Sequence, residues 1–241
     1  MKYFNGPAQR IGWLFVVATV AGVLGVVMMS STLGDDDLLS AVHSNQGSLI
    51  IGEMLIFVML VAMVGTAVLL APILRPHSET LALSYVLART LEVAMISVGL
   101  VAGLLLVPLS WDFAAVGGGD EASAAVLAES LKSASDWTGY LGAQMIFSIS
   151  ALVLNWAFLR NGLIPRWLSL WGLIGVPLMF ASGLLVMFES LNSNASMLNL
   201  LVVPLAVQEM VMALWLIVKG FCDVTTPEPA SDAPHHLVAS R

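Results

Sequence analysis

The stretch LALSYVLARTLEVAMISVGLVAGLLLVPL, residues 81–109, decides the fold. As a helix rising about 1.5 Å per residue it is long enough to cross the ~30 Å hydrocarbon core of a bilayer. A barrel strand would cross in about ten residues of alternating polarity, and this run does not alternate. Its only charged residues are Arg89 and Glu92. Reading outward in both directions gives five further apolar runs of the same kind, at 11–29, 49–74, 136–159, 167–188 and 198–218. The expected fold is all-α: a polytopic transmembrane bundle of six helices.

Composition agrees. The chain has 241 residues, 59% of them hydrophobic and 10% charged, against about 45–50% and about 25% in soluble domains. A net charge of −7 and a mean hydropathy of +0.92 exclude a nucleic-acid partner and name the lipid bilayer instead. One cysteine excludes a disulfide framework and a Cys-based metal site.

Orientation follows from the cations, which cytoplasmic loops retain. Lys2, Arg10, Arg75, Arg160, Arg166, Lys219 and Arg241 fall on one side of the six runs and Lys132 alone on the other, beside most of the loop carboxylates, Asp35, Asp36 and Asp37 among them. Both termini are therefore expected to be cytoplasmic, in a bacterial cytoplasmic membrane. The first run reads as a span, because it exceeds the roughly 7–15 apolar residues of a signal-peptide core and no A-x-A site follows it. The chain divides into a cytoplasmic N-terminus (1–10), the transmembrane domain (11–220) and a polar, Pro-containing tail (221–241) expected to be disordered. In the external loop Ser110–Ser135, Gly117, Gly118 and Gly119 precede an Ala-rich segment expected to form a short helix on the outer surface.

Ionisable residues at bilayer depth cost about 2.5–3.5 kcal/mol each at a helix centre, so each needs a partner or a watery cavity. Glu53, Arg89, Glu92 and Glu209 are the four, and with Gln144 they form the expected buried polar cluster. In the third run Tyr85, Arg89, Glu92, Ile96, Gly99 and Gly103 recur at helical spacing and share one face, ending in a small-xxx-small contact. In the fourth, Tyr140, Gln144, Ser148, Ala151 and Asn155 make a similar stripe, expected to oppose it. One arginine cannot neutralise three glutamates. Arg89 should pair with Glu92 or Glu209, leaving at least one other carboxylate to a proton, water or a cation. Pro177 and Pro204 remove amide donors inside the fifth and sixth runs, which frees the carbonyls of Leu173 and Leu200 and marks both sites as candidate helix breaks.

Taken in order, Arg10-Ile-Gly12, Arg89-x-x-Glu92, the loop holding Arg160, Gly162, Pro165 and Arg166, and Glu209-x5-Trp215-Leu-x-x-Lys219-Gly220 resemble the Domain of Unknown Function 4386 family. The resemblance implies a bacterial six-helix membrane protein and supplies no reaction. Family members often carry a histidine in the fourth helix where this chain has Ser150, so a metal or proton-relay site built on that histidine is not expected here.

His43, His77, His235 and His236 all lie in loops or the tail, and hydrolase, protease and phosphate-loop motifs are absent, which argues against an enzyme, a metal centre or a cofactor. The carboxylates and the prolines point to proton- or cation-linked binding or transport of a small-molecule solute, with a homo-oligomer expected because six helices are few for a monomeric carrier. The alternative is a structural or accessory membrane protein that binds lipid or a partner, its polar residues only joining helices.

Overall fold

The computed structural model describes residues 3–4, 6–116, 121–188 and 195–222. Six helices among them are long and apolar enough to cross a membrane. In chain order the elements are β1 (Tyr3–Phe4), α1 (Gly6–Leu33), α2 (Leu38–Leu74), α3 (Glu79–Val116), α4 (Glu121–Tyr140), a π-helical segment (Leu141–Ile146), α5 (Phe147–Asn161), α6 (Arg166–Phe188), α7 (Ala195–Val218) and β2 (Phe221–Cys222). The fourth span is α4, the π segment and α5 taken together.

Neighbours in sequence are neighbours in space, and α7 returns to pack on α1, so the six spans close into a ring. Large apolar side chains such as Val27, Val61, Val68, Leu87 and Val98 point outward, each more than half exposed, facing where acyl chains would lie. Glycines set the tightest crossings. A Cβ on Gly25 would lie 2.9 Å from the Gly52 carbonyl, and one on Gly12 would lie 2.6 Å from the Ala213 carbonyl, so α1 approaches both α2 and α7 backbone to backbone.

The two ends of the ring are built differently. At the end carrying Arg10, Arg75 and Lys219, a solid core of Ile11, Leu70, Leu74, Phe158, Leu168 and Leu216 fills the interior. Over it, Phe4 pairs with Phe221 and Tyr3 with Cys222 in a two-stranded antiparallel ladder, placing both ends of the described chain on one side of the bundle. Gly162 takes the left-handed conformation (φ 63°) that ends α5, Leu163 and Ile164 then plug into the core, and the Pro165 carbonyl accepts the Leu168 amide in the first turn of α6. That accounts for Gly162 and Pro165 of the Arg160–Arg166 loop. Gly220 (φ 78°) similarly ends α7 and turns the chain into β2.

Several expectations change. The spans extend beyond the apolar runs, and the segment expected to lie on the outer surface is instead α4, continuous with the fourth span and anchored by buried Ala128 in the cluster containing Leu38, Leu39 and Val42. Gly117, Gly118 and Gly119 lie outside the described residues. Pro177 and Pro204 do not break their helices: α6 and α7 run through them, since losing one amide donor leaves the flanking hydrogen bonds intact. Irregular backbone lies elsewhere, at Asn45 where α2 kinks (φ −118°, ψ 25°) and in the π segment of the fourth span, neither at a proline. Phe221 and Cys222, placed at the start of the tail, belong to the ladder, and 223–241 lie outside the described residues.

Candidate functional site: a central ionic cluster and two joined chambers

Arg89, Glu92 and Glu209 meet inside the ring. The spacing i, i+3 brings Glu92 onto Arg89 along α3, where Nη1 donates to Oε1 at 3.0 Å and Oε2 at 3.1 Å. Glu209, from α7, reaches Nη2 at 3.7 Å. The guanidinium Nε donates to the Tyr85 hydroxyl at 3.4 Å, and the rings of Phe147, Tyr85 and Phe15 surround its carbon at 5.5, 5.8 and 6.0 Å. Aromatic faces of this kind stabilise a cation that has left water.

Two chambers adjoin this cluster. The inner one, about 230 Å³, takes wall residues from all six spans and is floored by Arg89, Glu92 and Glu209. The outer one, about 700 Å³, is walled by α1 to α4 and the π segment and holds Glu53, Lys132, Asp136 and Gln144. Gly22, Met59, Ile96 and Ala143 line both, so the chambers abut. The Glu209 side chain is 19% exposed and that of Glu92 only 2%, so of the two carboxylates lining the inner chamber Glu209 is the more accessible.

The expected five-residue cluster therefore divides. Arg89, Glu92 and Glu209 come together, while Glu53 and Gln144 belong to the outer chamber. Gln144 accepts a hydrogen bond from Ser182 at 3.3 Å and makes none to Arg89 among the described residues. The small-residue end of the α3 stripe also serves two neighbours: Gly99 makes room for Ser135 and Thr138 of α4, and Gly103 for the Glu53 carboxylate of α2.

The polar stripe of the fourth span is split by the π segment. An i→i+5 turn holds more residues than an α turn, so every side chain after it is rotated from the α-helical expectation. Gln144 and Tyr140 face the outer chamber. Asn155 faces away from α3, seated on Gly172 and accepting from Gln208 Nε2 at 3.1 Å; the same Gln208 nitrogen donates to the Leu168 carbonyl at 3.1 Å and so joins α5, α6 and α7. The residue turned toward Glu92 is Ser150, whose hydroxyl donates to Oε2 at 2.9 Å. The sequence singled out Ser150 only as a departure from the pattern of the family it resembles, and not as a member of the cluster. Arg160 and Arg166 flank the α5–α6 connection at the closed end of the bundle, exposed and apart from the cluster.

Fold and site together define a membrane protein of six helices with an ionic cluster buried at the centre of its ring. The model of the family described as Domain of unknown function (DUF4386) matches residues 11–220, and the chain belongs to that family. Comparison with curated proteins and with solved structures finds no match.

Proposed function

We propose that this protein binds a small solute and carries it across the membrane coupled to a proton or another cation, with Glu209 as the exchanging acid and Arg89 and Glu92 as its fixed partners. The observation that carries this reading is the inner chamber, which every span helps to wall and which ends on two carboxylates sharing one guanidinium. Structural glue has no use for a chamber, whereas an exchanging carboxylate requires one. The wider outer chamber supplies a route from the Lys132 and Asp136 side, and the solid core under the terminal ladder closes the opposite end. On the positive-inside reading that route opens away from the cytoplasm of a bacterial cell, with both termini inside. Alternating access would then require the core around Leu70, Phe158 and Leu216 to part. A homodimer remains the expected assembly.

The accessory reading is favoured by one observation, the completeness with which Arg89 is satisfied by Glu92, Tyr85 and three rings. The test is purified protein in liposomes, screened for solute uptake with and without a pH gradient. Glu209→Gln should fold as the parent does and lose gradient-driven uptake, because glutamine keeps the shape and cannot exchange a proton. Gradient-driven uptake that survives Glu209→Gln overturns the assignment of that residue, and parent protein that takes up nothing from the screen favours the accessory reading.

A further inference from the structure

We propose that the outer chamber is a binding site for a hydrophobic organic cation, an ammonium or similar charged centre on an apolar body, with the Glu53 carboxylate as its counter-ion. Glu53 is 2% exposed and has no hydrogen-bond or ion-pair partner among the described residues, yet it lines the chamber. Burying a carboxylate without a partner costs free energy, which a cation held against it would offset. Its position is set by Gly103, because a Cβ there would collide with the carboxylate.

Charge selects the sign of the ligand. The side chains lining the chamber that carry formal charge are Glu53, Lys132 and Asp136, and Lys132 lies one helical turn before Asp136 on α4. Those two offset each other, and Glu53 is left over. An anion would meet one excess negative charge, and a cation would neutralise it.

The remaining walls select the body. Met29, Leu33, Ile56, Met59, Ile96 and Leu100 line the same chamber with methyl and thioether surface, and Tyr140 lines it as well. An inorganic ion needs several oxygen ligands, and no group of three or more His, Cys, Asp or Glu side chains that could hold a metal stands together among the described residues. An organic cation needs one carboxylate, an aromatic face and apolar surface to cover its carbon. About 700 Å³ accommodates a body of several rings or a branched chain.

This inference names the solute class of the carrier proposed above and so rests on that reading, but equilibrium binding tests it without transport. Tetraphenylphosphonium and tetraphenylborate have the same shape and opposite charge. The purified full chain in detergent should bind the phosphonium saturably, about one per protein, and the borate at least about ten-fold more weakly. Glu53→Gln should lower phosphonium affinity at least about ten-fold, Glu53→Asp should retain much of it, and Glu79→Gln on the exposed far end should leave it unchanged. The paired ions on the unaltered chain keep the proposal falsifiable even if Glu53→Gln does not fold. Equal binding of the two ions, no saturable binding, or full affinity in a folded Glu53→Gln protein overturns it. Displacement of the phosphonium by added phosphatidylethanolamine, and not by phosphatidylglycerol, would assign the chamber to a lipid ammonium headgroup and overturn the solute assignment. Phosphonium binding without gradient-driven uptake would remove the carrier reading alone, and uptake of some other solute without phosphonium binding would remove this inference alone.

Discussion

The Ser150 hydroxyl of α5 donates a 2.9 Å hydrogen bond to Glu92 Oε2 of α3, linking the fourth span to the ionic cluster of the third. The same oxygen also accepts from Arg89, so Ser150 helps to fix which way the carboxylate faces. Ser150→Ala should cost about 1.5–3 kcal/mol, the range for a hydrogen bond to a charged group. Ser150→Thr should recover part of it. The measurement is unfolding of the detergent-solubilised protein, and an Ala variant as stable as the parent would show that the bond contributes nothing.

Arg89 stands closer to Glu92 than to Glu209, at 3.0 Å against 3.7 Å. A double-mutant cycle combining Arg89→Gln with Glu92→Gln should therefore give the larger coupling energy, and one combining it with Glu209→Gln the smaller. Arg89→Ala alone should cost about 3–5 kcal/mol, because it strands a carboxylate in a dry interior. Neutralising Glu92 as well should restore part of the folded yield. Equal couplings, or an Arg89→Ala protein that melts like the parent, would contradict this geometry.

Topology is open to direct test. Reporters fused after His77, Gly162 and Asp223 should read cytoplasmic, and reporters fused after Asp36 and Ala122 should read external. The opposite pattern would reverse the membrane orientation while leaving the paired strands, which hold both ends on one side, untouched.

Cys222 sits in β2, half-buried, with its amide donating to the Leu163 carbonyl at 2.8 Å. Burial pushes its thiol above the usual cysteine range by disfavouring the charged form. At neutral pH less of it is thiolate than in a free cysteine, so maleimide labelling should be slower, and the rate should climb to a later plateau as pH rises. Labelling at the free-cysteine rate across the pH range would mean that β2 is not held against the α5–α6 connection.

Much of this arrangement can be read from residue order, and the part that cannot has a physical cause. Long apolar runs specify spans almost without regard to neighbours, because a bilayer demands internally satisfied backbone. The Arg89–Glu92 contact is equally local, a consequence of i, i+3 spacing on one helix. What composition and spacing do not carry is the rotation of one span against another. The Leu141–Ile146 turn shifts the phase of α5, so Ser150 replaces the expected Ala151 face opposite Glu92. Glu53 was expected in the cluster with Arg89, yet its carboxylate sits instead in the recess that Gly103 opens farther along α3. Pro177 and Pro204 signalled a break by their chemistry alone, and the surrounding helix absorbed both.

The terminal ladder has a mechanical consequence. Neighbouring strands lie about 4.8 Å apart, so the pairing of Tyr3 with Cys222 makes both tails leave the bundle at one point. Tension applied between them would load the ladder's backbone hydrogen bonds first, before any force reached α1 or α7. A tether on either tail would likewise pull from a single corner of the ring, beside the solid core and at the end opposite the chambers.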